Sequence, residues 1–147
     1  MKKIIKILMF LFIIVALSGC GSKKVLKPSD VQNKLSSLGF SINDITNYME
    51  DKNIKSVITA NNGKYQIEFF TFNSKKNAKE AYNTNVKSFL ANKNVKKEKN
   101  EDNYDKFTQK LSDTYNVVIR LDNTLLYSSI NLEYKNDLNK IIKKLNY

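Results

Sequence analysis

The chain reads as an α+β fold: an antiparallel sheet of about five strands with two or three helices packed mainly on one face, in the order α-β-β-α-β-β-β-α. Three observations predict it. Apolar residues alternate strictly in stretches such as Tyr115, Val117, Ile119 and Leu121, the period-2 pattern of strands. Short polar turns join these stretches, at Asn61-Asn62-Gly63, Ser112-Asp113-Thr114 and Asp122-Asn123-Thr124, so that consecutive strands pair antiparallel. Around them run segments whose apolar residues recur three and four apart, the stripe of a helix that covers a sheet.

The first 20 residues stand outside that domain. Lys2, Lys3 and Lys6 form a basic end, an apolar run extends from Ile7 to Leu17, and Ser18-Gly19-Cys20 follows. This is the three-part layout of a secretory signal, with an apolar run too short for a comfortable membrane span. The ending Leu17-Ser18-Gly19-Cys20 resembles the lipobox of bacterial lipoprotein precursors. The resemblance implies cleavage between Gly19 and Cys20, a diacylglycerol on the Cys20 thiol, and residence at the outer face of the cytoplasmic membrane. An uncleaved anchor helix leaves the same topology without the covalent lipid. The chain then divides into a signal over 1–19, an anchor and short tether over 20–28, and a single domain over 29–147.

The tether GSKKVLKP spans at most about 26–29 Å when extended. The domain is therefore expected to sit close to the bilayer, with Lys23, Lys24 and Lys27 able to meet acidic headgroups. A first helix is expected from Asp30 to Leu38, with Ser29 and Gln32 at capping-box spacing. Gly39 followed by Phe40 fits a left-handed stop. The segment 41–53 has no clear period and is read as irregular, with room for a short strand. Ile54–Ala60 and Lys64–Phe72 form a hairpin through Asn-Gly.

Ser74 can cap a helix reaching Ala91, striped by Ala78, Ala81, Tyr82, Val86, Phe89 and Leu90. The stretch 92–103 holds four lysines and few apolar residues, and reads as an exposed basic loop. Strands follow at Tyr104–Leu111, Tyr115–Leu121 and Leu125–Leu132. A last helix begins near Glu133 and buries Tyr134, Leu138, Ile141, Ile142 and Leu145. The segments YQIEFF, TFNSKKNAKEAY and YNVVIRLDNTLLY are similar to stretches of small Gram-positive lipoproteins, a resemblance that brings no activity with it.

Chemistry is sparse. There is no histidine, and Cys20 is the single cysteine, so imidazole and thiolate catalysis are excluded from the domain. The four glycines, at 19, 21, 39 and 63, do not form a phosphate-cradling loop. The acidic run Glu101-Asp102-Asn103-Tyr104-Asp105 lacks the glycine and distal glutamate of a calcium loop and reads as a solvated turn. No enzyme, metal or cofactor is expected, beyond the diacylglycerol on Cys20.

Three lysines leave with the signal, so 22 basic side chains face 14 acidic ones, a balance of +8. In an exported domain that charge points to anionic lipids or polymers and away from nucleic acid, and the plainer alternative is a lysine-rich solvated surface that keeps the protein soluble. Arg120 is the single arginine, expected in mid-strand on the face away from Tyr115, Val117 and Ile119. It is a candidate contact for an anionic ligand, against a structural pairing with a neighbour such as Glu68. Phe70, Phe72, Val118, Leu125 and Tyr127 fall on the side opposite the expected core and form a candidate docking face. The alternative is that the first helix or the 41–53 segment covers them.

These readings favour a membrane-anchored, non-enzymatic binding or accessory lipoprotein, with an envelope protein or anionic polymer as partner. An immunity or inhibitor protein against a toxin or lytic enzyme is the second reading. A precursor whose released signal peptide acts as a pheromone is the third.

Overall fold

A computed structural model describes residues 23–90 and 96–147. Helix α1 (Pro28–Ser37) opens the domain, followed by β1 (Ser41–Asp44), a 3-10 turn (Thr46–Tyr48), β2 (Ile54–Asn61) and β3 (Gln66–Phe72). Next come α2 (Lys75–Leu90), β4 (Lys96–Asn100), β5 (Tyr104–Lys110), β6 (Thr114–Leu121) and β7 (Thr124–Asn131). A 3-10 turn (Leu132–Tyr134) leads into α3 (Lys135–Lys144).

The α+β class stands, but the sheet has seven strands instead of about five, in the spatial order β1-β2-β3-β7-β6-β5-β4. Both additional strands are edges. β1 forms in the segment left irregular and pairs with β2 from Ser41 opposite Asn61 to Asp44 opposite Ile58. β4 forms where a basic loop was expected and pairs along β5. An edge strand has one neighbour only, and lysines along it discourage pairing with another chain, so its sequence looks like a loop.

The helices also cover both faces, where one was expected to be favoured. On the first face, α1 and α3 press Val31, Leu35, Leu138, Ile141 and Ile142 against Ile58, Ile67, Phe69, Val117, Ile119 and Leu126. On the second, α2 presses Ala78, Tyr82 and Val86 against Phe72, Phe107, Val118 and Leu125. The reason is topological. Between β3 and β4 the chain must pass β7, β6 and β5, four strand spacings or about 19 Å. A helix of 16 residues is about 24 Å long and makes that passage across the open face.

Local chemistry sets the ends of the elements. α1 starts at Pro28, whose fixed φ suits a first turn, and no side chain caps it, so the Ser29–Gln32 box does not form. Its end is a Schellman motif: Phe40 N–H donates to the Leu35 carbonyl at 3.1 Å and Gly39 N–H to Ser36 at 3.0 Å, with Gly39 at φ +86°. α3 ends the same way on Asn146, at φ 64°, with Tyr147 N–H donating to Ile142 at 3.1 Å. That turn folds the Tyr147 ring edge-on to Phe69, 6.0 Å between centroids. The β2–β3 connection pairs Asn61 with Gln66, so it is a four-residue loop wider than the expected Asn-Gly turn.

The tether is shorter than expected. Val25 and Leu26 pack against the first core, so residues 23–27 belong to the domain and do not extend freely. No helix among the described residues is long and apolar enough to cross a membrane.

Gly39→Ala is expected to destabilise the fold by roughly 1–2 kcal/mol, the cost of a side chain in left-handed backbone. The cost is conformational only, because no atom lies within 4 Å of the position a Cβ would take. Urea unfolding of the variant measures it.

Candidate functional site

Gly19 and Cys20, the expected cleavage and lipidation positions, lie outside the described residues. The other candidates can be placed. Arg120 does face away from Tyr115, Val117 and Ile119, but it is 3% exposed and does not reach a ligand. β5 pairs with β6 in a register that sets Asp105 opposite Arg120. Arg120 Nε donates to Asp105 Oδ2, and Lys79 Nζ from α2 donates to Asp105 Oδ1 at 2.6 Å. The remaining guanidinium nitrogens reach backbone carbonyls, Nη1 to Asp122 at 3.2 Å and Nη2 to Asp102 at 3.2 Å and Glu101 at 3.4 Å. Arg120 thus clips two turns together at one end of the sheet. The pairing with Glu68 fails because β7 lies between β3 and β6.

The acidic run 101–105 is absorbed into this clip. Its Asp105 carboxylate is spent on Arg120 and Lys79, and its carbonyls on the guanidinium. No group of three or more metal-ligating side chains gathers among the described residues.

The candidate docking face is covered. Phe72, Val118 and Leu125 are buried, and Phe70 and Tyr127 are half-buried against the same cluster. The cover is α2, neither the first helix nor the 41–53 segment. Phe89 of α2 stacks between Phe107 at 5.9 Å and Tyr127 at 6.0 Å. An apolar sheet face beside a crossover helix is its natural bed.

A site the sequence did not single out lies on the other face. α3 covers the middle of the sheet, leaving β5 beyond its flank uncovered. A groove of about 640 Å³ opens there. Its floor is the outward row of β5, Tyr104, Lys106, Thr108 and Lys110, which alternates with the inward row Asp105, Phe107 and Gln109. Tyr115 of β6, Lys135 and Asn139 of α3, Tyr147, Lys23 and Lys99 complete its lining. Five of these residues are lysines and three are tyrosines, and no aspartate or glutamate is among them.

The charge is organised on ring faces. Lys23 Nζ sits 3.6 Å from the centroid of Tyr104, with Lys99 at 5.7 Å from the same ring and Lys135 at 5.4 Å from that of Tyr115. Burial first, then the like charges of Lys106 and Lys99, hold the Lys23 ammonium below the usual lysine range; Glu101 acts in the opposite sense. Burial, followed by the Glu101 charge, pushes the Tyr104 phenol up to about 12. Such a concentration of cations can hold an anion. A smaller hollow of about 330 Å³ beside α2 has the opposite character, with Asp51 and Glu80 among amides.

The only sequence signal for the groove was the lysine excess. Its lysines are scattered from 23 to 135, and only the sheet brings them together.

No family model and no curated protein matches the chain. Among solved structures, a crystal structure of a GTP binding regulator from Thermotoga maritima is similar at a TM-score of 0.48 and 13% identity, over 82% of this chain and 84% of that one. A likeness of that degree carries no argument about function.

Two outcomes are expected. Arg120→Ala leaves the Asp105 carboxylate buried without its nearest partner, which costs about 3–5 kcal/mol in urea unfolding. Removing both charges, with Arg120→Met and Asp105→Leu, costs far less than the sum of the single changes. The raised Tyr104 proton affinity stabilises the fold below pH 10, the ordinary phenol value, and this contribution is lost as pH rises toward 12. Stability followed across that interval beside a tyrosinate absorbance titration checks the sign, and Tyr104→Phe is expected to flatten this part of the dependence.

Proposed function

We propose that this chain is an exported lipoprotein, held by a diacylglycerol on Cys20 at the outer face of the cytoplasmic membrane, where it acts as a non-enzymatic binding or accessory protein. The observation that carries the reading is the Leu17-Ser18-Gly19-Cys20 ending of a basic-then-apolar leader. A diacyl anchor supplies the two chains that stable attachment needs. The absence of histidine and of any cysteine after Cys20 removes the usual nucleophile and base pairs, which favours binding over catalysis.

The fold supports the reading in one further respect. The domain packs up to Lys23, only three residues after Cys20. Three residues span at most about 10–11 Å, so a lipid on Cys20 would hold the Lys23 end of the domain at the headgroups.

Cys20→Ala is expected to block lipidation and cleavage, leaving an unprocessed precursor. Mass spectrometry of the wild-type N-terminus is expected to find a diacylglycerol-bearing cysteine. An unmodified N-terminus, or normal processing and membrane fractionation of the Cys20→Ala chain, overturns the proposal.

A further inference from the structure

The groove beside α3 brings together charge, aromatic rings and the first described residue of the tether. Lysine ammoniums are compact point charges that bind phosphate oxygens without the fixed fork geometry of arginine. The one arginine is buried on the other side of the sheet. Tyrosine and lysine are also the side chains that favour a membrane interface, with an apolar body and a polar tip. The volume of about 640 Å³ is that of a small-molecule site.

We infer that the groove binds the phosphate headgroup of an anionic phospholipid in the membrane that anchors the chain, pinning the domain in one orientation on the bilayer. The inference rests on the lipid-anchor reading above. Position selects this source of phosphate. Lys23 forms part of the groove wall and stands three residues from the lipidated cysteine, so headgroups are the nearest phosphates to it. The Lys23 ammonium is held below the usual lysine range by burial first and then by the like charges of Lys106 and Lys99, and an anion in the groove relieves the second of these. At the rim, Lys99 pairs with Glu101 at 2.8 Å, but both side chains are more than half or half exposed. Such a surface pair is weak and yields to a phosphate.

The test reads the groove lysines directly. The mature lipidated chain is reconstituted into vesicles of phosphatidylcholine, with or without phosphatidylglycerol, and acetylated briefly with an amine-reactive reagent. Mass spectrometry then compares Lys23, Lys106 and Lys135 with Lys24 and Lys27, which are nearby but do not line the groove, and with Lys76 on the opposite face. Phosphatidylglycerol is expected to slow the three groove lysines by about fivefold relative to the others, the factor typical of one lysine held at an anionic surface. Lys106→Gln with Lys135→Gln is expected to abolish the protection of Lys23 while thermal unfolding stays normal.

Equal protection of Lys24 and Lys27 means diffuse surface attraction and overturns the inference, as does no protection at all. Protection by glycerol phosphate added to phosphatidylcholine vesicles, with none from phosphatidylglycerol, assigns the groove to a soluble phosphate and overturns the lipid assignment. The two proposals fail separately. A chain without lipid does not stay on phosphatidylcholine vesicles, whereas a chain that stays but gains no groove protection from phosphatidylglycerol keeps its anchor and loses this site.

Discussion

The guanidinium of Arg120 and the carboxylate of Asp105, buried face to face between the sheet and α2, set the register of the strand on which the groove is built. A slip of one residue in β5 would send Tyr104, Lys106, Thr108 and Lys110 to the α2 side and bring Phe107 out to solvent. The pair resists that slip because burying two charges is tolerable only when each is matched. Lys79 and three backbone carbonyls complete the matching. An ion pair on one face of the sheet thereby determines what the other face presents.

The two faces divide the polar work. Beneath α2, Gln109 donates to the Phe89 carbonyl at 3.1 Å, and Asn116 donates to Gln109 at 3.1 Å while accepting from Ser129 at 2.7 Å. This chain of bonds lets polar residues sit under a helix without an unmet desolvation cost. On the other face, Tyr65 donates to Asp137 at 2.8 Å and helps to seat α3 over the centre. α3 ends in the Asn146 turn, and its side leaves the β5 half of the face open. The groove is what a ten-residue helix fails to cover on a seven-stranded sheet.

A protein attached by its first residue has little freedom if its domain begins almost at once. Val25 and Leu26 pack against the core, and Lys23 lies on the Tyr104 ring, so under the proposed lipid anchor the groove would lie close to the bilayer. A short tether and a lysine-lined hollow are features that suit the proposed role of a protein that holds an anion at a membrane surface.

Much of this architecture was legible in the amino-acid order. Period-2 runs identified β3, β6 and β7, Asp122-Asn123 their turn, Gly39-Phe40 the end of α1, and alternation alone turned Arg120 away from Tyr115 and Val117, because these depend on residues adjacent along the chain. The edge strands, the side of the sheet taken by α2, the partner of Arg120 and the groove were decided only by tertiary structure. Edge strands have too little burial to leave a pattern, and a helical stripe records that it is covered but not by which face. Asp105 meets Arg120 across a strand pairing, and Lys23 and Lys135, far apart in the chain, line one groove. Contacts of that range exist only once the chain has closed on itself.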